Sequence, residues 1–163
     1  MEKFEIPKDI LLKLLQGAYI AIDGLWFMGV EKKHDFDEAL EIDIDVWENW
    51  MQILPKRIKR ILNLEKNDIP MIVKILEVAY QMEGTDYEII ERSENRAVIR
   101  ILKCQWYENL KNAGREKLLP CVDLDKKLYP PMIEKINPKV SFKQVSGIPE
   151  GDESCDFILE LKK

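Results

Sequence analysis

The sequence has few of the residues from which catalytic sites are most often recognised. Its 163 residues include one histidine and three cysteines, and neither a G-x-S-x-G turn nor a glycine-rich phosphate-binding loop occurs. Catalysis by an activated serine or cysteine would have to use His34, which we expect in a solvated turn between two helices. The sequence therefore disfavours phosphate cofactors and histidine-activated nucleophiles.

Targeting and membrane signals are also missing. No basic segment followed by an apolar run opens the chain, which predicts no signal peptide and a cytoplasmic location. The most apolar stretch, residues 17–30, contains Asp23 and is shorter than the roughly 20 residues that span a bilayer. We therefore expect a buried helix and no membrane contact. In a reducing compartment, an odd number of cysteines disfavours disulfides and leaves thiols or metal ligands.

Positive charge is scarce as well. The formal net charge is −5, so a nucleic-acid site would need a concentrated basic patch to overcome the average repulsion of phosphate. The densest basic cluster comprises Lys56, Arg57, Lys59 and Arg60. These residues fall in the last turns of a predicted helix, where cations complement the helix dipole. We expect no nucleic-acid partner.

The chain length and the order of the hydrophobic patterns predict a single α+β domain, residues 1–163. A helical lead-in, residues 1–84, precedes a ββααββ region, residues 85–163. Two hairpins joined by helices favour a four-stranded antiparallel sheet packed on helices, because the strands of a hairpin are antiparallel.

Three helices are predicted in the lead-in. The first begins at Pro7 and ends near Lys33. Its apolar stripe consists of Leu11, Leu14, Leu15, Ala18, Ile22, Leu25, Trp26 and Gly29. The second helix follows a capping box that begins at Asp35, and the third lies between Asp68 and Gly84.

Alternation with a period of two predicts the strands. The first hairpin comprises residues 87–92 and 96–103. The predicted inner face of the second hairpin consists of Phe142, Phe157, Leu159 and Leu161. Between the hairpins, a helical piece over residues 117–136 should be broken at Pro120 and at the proline pair 130–131, because proline removes a helical hydrogen bond.

The order of elements and two cysteine-containing segments resemble a known family. The segments that carry the resemblance are Ile22–Phe27, Cys104–Glu108 and Gly151–Phe157. They resemble the vinyl-4-reductase type of small-molecule (hydrocarbon) binding proteins, and they are also similar to L-2-amino-thiazoline-4-carboxylic acid hydrolase-like proteins. The resemblance covers nearly the whole chain. It implies an α/β sandwich that commonly forms dimers and holds an apolar ligand, and it implies no particular reaction.

The cysteines form the best candidate constellation. Cys104 ends a predicted strand, Cys121 lies in the broken helix and Cys155 opens the last strand, so we expect the three near one end of the sheet. Thiolates are good zinc ligands, which makes these residues a candidate zinc site. Candidates for a fourth ligand are His34, Glu108 and Asp123. The alternative is a set of buried thiols that line or seal a pocket, because free cysteine is often buried.

Asp23 is the most informative carboxylate. Burying an ionised group among apolar neighbours is unfavourable unless the group is paired or protonated, so Asp23 either contacts a ligand or forms a structural pair, for example with Arg100. The candidate ligand-binding set is Asp23, Trp26, Phe27, Cys104, Trp106, Glu108 and Cys155. Aromatic residues at helical spacing also suit an ordinary core.

Three functions remain open at this point. The first is a non-catalytic protein that binds a small hydrophobic or aromatic molecule between the helices and the sheet, since aromatic residues outnumber recognisable catalytic groups. The second is an enzyme, a hydrolase or reductase that uses a thiol or zinc. The third is a dimeric scaffold whose cavity is filled by its own side chains. For all three we expect a homodimer, from the resemblance and from surplus apolar residues on the second helix.

Overall fold

Three helices form the N-terminal half of the structure, a computed structural model that describes residues 3–118 and 120–162. They are α1 (Lys8–Glu31), α2 (Phe36–Ile61) and α3 (Ile69–Glu83). The predicted helix boundaries follow from local chemistry: the Asp35 carboxylate accepts a hydrogen bond from the backbone N–H of Glu38 at 2.9 Å. Gly84 ends α3 with a φ of 75°, a left-handed conformation that glycine adopts without strain.

The C-terminal half contains a four-stranded antiparallel sheet. Its strands are β1 (Asp86–Arg92), β2 (Arg96–Lys103), β3 (Val140–Gln144) and β4 (Cys155–Leu161), in the spatial order β1-β2-β4-β3. Helices α4 (Gln105–Asn112) and α5 (Cys121–Ile136) separate the two hairpins in sequence. The predicted α+β class, three helices followed by ββααββ, is confirmed.

The core lies between one face of this sheet and the helices α3 and α5. The inward-facing side chains of α3 are buried, among them Ile72, Ile75, Leu76, Ala79 and Tyr80. Strand β4 alternates as expected, because Phe157 is 3% exposed and Leu159 is fully buried. Leu161 was expected on the same face but is 40% exposed, since it is the last residue of the strand.

The predicted break at the second proline site is wrong. Helix α5 begins directly after Pro120 and continues through Pro130 and Pro131 to Ile136. These prolines remove the hydrogen bonds that the carbonyls of Lys126 and Lys127 would accept. Both lysines are exposed, so water can satisfy the two carbonyls and the helix continues. The predicted piece 117–136 also crosses Leu119, which lies outside the described residues.

The prediction of a buried first helix is also wrong. Only Ile20 and Phe27 of α1 are buried, and Ile22 and Leu25 are 68% and 65% exposed. Most of the stripe that we assigned to the core therefore faces outwards.

Contrary to the sequence-based expectation, α1 is long and apolar enough to cross a membrane. This criterion concerns length and composition only, and core helices also meet it.

Candidate functional site: an acidic, aromatic cavity

A cavity of about 290 Å³ lies where α1, α2, α3 and α5 meet the end of the sheet at which β2 finishes and β4 begins. This volume is at the lower end of the roughly 300–1,000 Å³ that is typical of small-molecule sites. Aromatic walls include Phe27, Trp47, Trp106, Tyr129 and Phe157. The Trp47 and Trp106 rings meet edge to face, with centroids 5.0 Å apart.

Four carboxyl groups line this mainly apolar space, each from a different helix. They are Asp23 from α1, Asp43 from α2, Glu83 from α3 and Asp125 from α5. Burial raises the pKa of Asp43, Glu83 and Asp125 to about 7 in each case. Burial raises the pKa of Asp23 as well. Three of the four carboxyl groups, Asp43, Glu83 and Asp125, therefore exchange protons near neutral pH.

Neighbouring groups adjust these pKa values in both directions. After burial, the negative charge of Asp23 further raises the pKa of Asp43, whereas a hydrogen bond with Trp47 lowers it. For Glu83, a hydrogen bond with Trp106 lowers the pKa and the charge of Asp125 raises it, both less than burial does. Indole N–H groups thus provide part of the stabilisation that a cation would otherwise supply.

Arg115 is the only lysine or arginine in the cavity lining that the structure describes. Its guanidinium donates hydrogen bonds to both carboxylate oxygens of Glu31, each at 2.8 Å. Because that pair is already formed, Arg115 is not available to neutralise the four carboxyl groups.

All three thiols line the same cavity. Burial raises the pKa of Cys104 to about 12 and the pKa of Cys121 and Cys155 to about 11. The thiols are therefore protonated at neutral pH and are weak nucleophiles. Over residues 3–118 and 120–162, no group of three or more His, Cys, Asp or Glu side chains is arranged to hold a metal ion. The expected zinc site accordingly has no preformed ligand cluster there.

Two buried hydroxyl groups on the cavity wall lack hydrogen-bond partners. Tyr80 is 2% exposed and Thr85 is 9% exposed. Both line the cavity, and neither the Tyr80 hydroxyl nor Thr85 Oγ1 has a partner among the described residues. A buried polar group without a partner is unfavourable, which makes both hydroxyls available to a ligand or to water.

The structure brings together most, but not all, of the predicted site residues. Of the candidate set, the cavity lining includes Asp23, Phe27, Cys104, Trp106 and Cys155. Trp26 and Glu108 are not in that lining. Trp26 is 44% exposed, and Glu108 forms an ion pair with Lys111 at 2.9 Å.

The structure also decides two questions that the sequence left open: whether Arg100 is the partner of Asp23, and where His34 lies. Arg100 is not the partner of Asp23, because its guanidinium forms a two-point ion pair with Asp156 at 2.9 and 2.7 Å. His34 is exposed, as predicted, and its Nδ1 lies 3.1 Å from the carboxylate of Glu38. The single histidine is therefore not part of the cavity lining.

Sequence reasoning did not single out Asp43, Glu83 or Asp125. A signal was nevertheless present, because each lies three or four positions from a cavity-lining aromatic residue of its own helix: Asp43 from Trp47, Glu83 from Tyr80 and Asp125 from Tyr129. Residues at this spacing share a helical face. An acidic residue on an apolar face is the pattern to search for.

Solved structures share this fold. A trafficking protein particle complex subunit 3 from Naegleria fowleri, covalently bound to palmitic acid, superposes with a TM-score of 0.59 at 14% identity, over 93% of this chain and 97% of that chain. The phenol-responsive sensory domain of the transcription activator PoxR, with phenol, superposes with a TM-score of 0.55 at 8% identity, over 87% of this chain and 73% of that chain. At such identities the likeness concerns the fold alone.

Sequence comparison defines the family but adds no activity. No curated protein matches this chain. A family model described as "Family of unknown function (DUF6125)" matches residues 5–159, nearly the entire sequence. The chain therefore belongs to the family of unknown function DUF6125.

Proposed function

We propose that this chain is a binding protein of the vinyl-4-reductase type, which holds a small, mainly apolar ligand in the cavity between the helices and the sheet. The observation that carries the proposal is the cavity itself: about 290 Å³ of space is already formed, with aromatic walls and buried hydroxyl groups that lack partners. An apolar pocket with a few convergent polar groups is the usual form of a small-molecule site.

The structural neighbours support this reading at the level of the fold. Palmitic acid is bound by one of them and phenol by another. Both ligands have a large apolar part, as the walls of this cavity require. The identities of 14% and 8% transfer neither ligand to this chain.

Native mass spectrometry of the purified protein tests the proposal, because a bound molecule adds a discrete mass that denaturation removes. Tryptophan fluorescence provides a second readout, since Trp47 and Trp106 line the cavity. A series of small aromatic compounds should change this fluorescence saturably. Absence of both a co-purified mass and any saturable response would contradict the proposal.

A matched pair of glycine variants locates the binding. Gly24 lines the cavity, and a side chain there meets no atom within 4 Å of its Cβ. We expect Gly24→Phe to fill the cavity and abolish binding. Gly17→Phe is the control, because Gly17 lies on the same helix with equally open surroundings but outside the cavity lining. Equal binding by both variants would place the ligand elsewhere.

A second candidate is thiol- or zinc-dependent chemistry in the same cavity. It is favoured by the position of Cys104, Cys121 and Cys155, which all line the space where a substrate would lie. Zinc would have to displace the thiol protons, because the pKa values of these residues lie at about 11 to 12. Metal analysis of the purified protein, compared with the Cys155→Ser variant, tests this candidate. A protein without stoichiometric metal removes the zinc form of it.

We also propose a homodimer in which a second copy covers the outer face of α1. This face consists of Ile10, Leu11, Leu14, Leu15, Ala18, Ile22, Leu25 and Met28. The only charged residues between Ile10 and Val30 are Lys13 and Asp23, and Asp23 lines the cavity. An exposed apolar surface of this length is typical of an interaction site.

Light scattering at micromolar concentration tests the dimer. We expect a dimeric mass for the wild type and a monomeric mass for Ile22→Glu, which places a charge in the middle of the outer face. Lys126→Glu on the exposed side of α5 is the control and should stay dimeric. A monomeric wild type contradicts the proposal, and co-sedimentation of that monomer with lipid vesicles would identify a membrane as the partner of α1.

A cytoplasmic location and the lack of a nucleic-acid partner stay predictions.

A further inference from the structure

The four cavity carboxyl groups lack the cationic partners that buried acids normally have. None of Asp23, Asp43, Glu83 and Asp125 forms a salt bridge within the part of the chain that the structure describes. Arg115, the one guanidinium on the wall, is paired with Glu31. An ionised carboxyl group in an apolar space is unfavourable without a counter-charge, so a cation bound in this cavity would stabilise the ionised form of these groups.

The walls between the carboxyl groups suit a cation. Trp47 and Trp106 line the cavity and stand edge to face, with ring centroids 5.0 Å apart. Aromatic faces attract ammonium groups through the ring quadrupole, most strongly where water is excluded. A cavity that combines aromatic rings with carboxyl groups favours an organic cation over a neutral molecule of the same shape.

An independent observation indicates that a polar ligand belongs in this space. Thr85 Oγ1 lies on the cavity wall, is nine-tenths buried, and has no partner among residues 3–118 and 120–162. It can accept a hydrogen bond from a ligand N–H. A ligand made only of carbon and hydrogen would leave it unsatisfied.

We propose that the cavity binds an organic cation, a protonated amine with a small apolar or aromatic body. The ammonium group lies among the carboxyl groups and the apolar body packs on Phe27, Tyr129 and Phe157. A carboxylate ligand is disfavoured, because it would add a fifth negative group to the same space. This assignment of a ligand class rests on the proposed binding function and narrows it.

Proton release accompanies binding of such a cation. The carboxyl groups titrate near neutral pH, and a cation favours their ionised form, so affinity rises as the pH rises. Several titratable or charged groups face one another across the cavity. The acids are Asp23 from α1, Asp43 from α2, Glu83 from α3 and Asp125 from α5, and the base is Arg115, beyond α4. The thiols and phenols are Tyr80 from α3, Cys104 after β2, Tyr107 from α4, Cys121 and Tyr129 from α5, and Cys155 from β4. The three thiols and the phenols of Tyr80 and Tyr129 stay protonated at neutral pH, because burial raises their pKa values.

Two isosteric probes provide the test. Phenyltrimethylammonium carries a permanent positive charge, whereas tert-butylbenzene has the same shape without charge. Titration of the wild type, followed by tryptophan fluorescence, should give at least about tenfold tighter binding of the cation at about pH 8. The affinity for the cation should fall about tenfold towards pH 6, and the affinity for tert-butylbenzene should not fall. Since the cationic probe has no titrating group, this change reports the protein carboxyl groups.

Carboxyl-to-amide variants show which carboxyl groups cause the preference for the cationic probe. Glu83→Gln and Asp125→Asn should each reduce the preference for the cation at least about threefold, whereas Asp123→Asn, an exposed change on the same helix as Asp125, should leave it unaltered. Equal or tighter binding of tert-butylbenzene, or a preference that both cavity variants retain, would overturn the cation assignment and leave the binding function standing. If neither probe binds, the cation assignment is wrong. The binding function also fails in that case if native mass spectrometry detects no other ligand.

Discussion

Replacing Asp125 by asparagine should stabilise the protein at alkaline pH and have little effect at acidic pH. Burial raises the folded-state pKa of Asp125 to about 7, against about 3.9 in an unfolded chain. A carboxyl group whose pKa is raised on folding contributes stability below the unfolded pKa, and this contribution is lost as the pH rises through the folded pKa. Asparagine has nearly the same shape as aspartic acid but does not titrate, so it adds no pH dependence to the stability.

The magnitude follows from the size of the shift. A difference of about three pKa units corresponds to about 4 kcal/mol at pH values above both pKa values. Asp125 is only partly shielded from water, so we expect about 1–2 kcal/mol of extra stability for Asp125→Asn at about pH 8. At about pH 4 the difference should shrink to a few tenths of a kcal/mol.

Urea denaturation of both proteins at several pH values measures this difference as a shift in the unfolding midpoint. Asp123→Asn is the control, because that exposed carboxyl group lies two residues earlier on α5. A stability difference between wild type and Asp125→Asn that is the same at about pH 4 and about pH 8 would refute the reasoning. Loss of stability at the higher pH would refute it more strongly, because it would mean that the ionised form is the stabilised one.

Three further predictions concern the core, a helix end and the thiols. Leu159→Ala should lower the free energy of unfolding by about 2–5 kcal/mol in urea denaturation, since Leu159 is fully buried in the sheet core. Gly84→Ala should lower the thermal unfolding temperature through a cost of about 1–2 kcal/mol, because Gly84 has a φ of 75° and its added Cβ would lie 3.3 Å from the Gln16 side chain. Cys104 should react with maleimide at pH 7 far more slowly in the folded protein than in urea, because burial raises its pKa to about 12. Rapid modification of the folded protein at Cys104 would contradict that assignment.

The elements that could be predicted from the sequence are those with a strong local signal. The caps at Asp35 and Asp68 each accept a hydrogen bond from the backbone N–H three residues later, at 2.9 and 3.0 Å. Strand β4 alternates strictly between buried and partly exposed residues from Cys155 to Leu159. In each case a residue type matches a specific backbone geometry, so no tertiary information is needed.

The orientation of α1 could not be predicted in the same way. Apolar residues surround this helix on nearly all sides, so helical periodicity does not identify one inward face. The structure turns Ile20, Asp23 and Phe27 inwards and leaves Ile22 and Leu25 exposed. Only the neighbouring helices decide this rotation, because the helix itself would bury either side equally well.

The continuity of α5 was missed for a different reason. Proline is a strong helix breaker when the released carbonyl is buried, but much less so where water reaches that carbonyl. Lys126 and Lys127 are on the exposed side of α5, and the helix passes through Pro130 and Pro131. Whether a carbonyl is solvated depends on packing, which sequence spacing alone does not determine.

Helix α1 connects the two surfaces to which we assign a function. Its inner side supplies Asp23 and Phe27 to the cavity, while Ile22, just before Asp23, and Leu25, between the two, point outwards. A second copy packed on the outer face would restrict the position and rotation of α1, and a ligand packed on its inner face would restrict the same motions. Two binding events that order one element favour each other, and linkage requires the effect to be equal in both directions. If both proposals hold, ligand binding must therefore strengthen the dimer by the same factor by which dimerisation strengthens ligand binding.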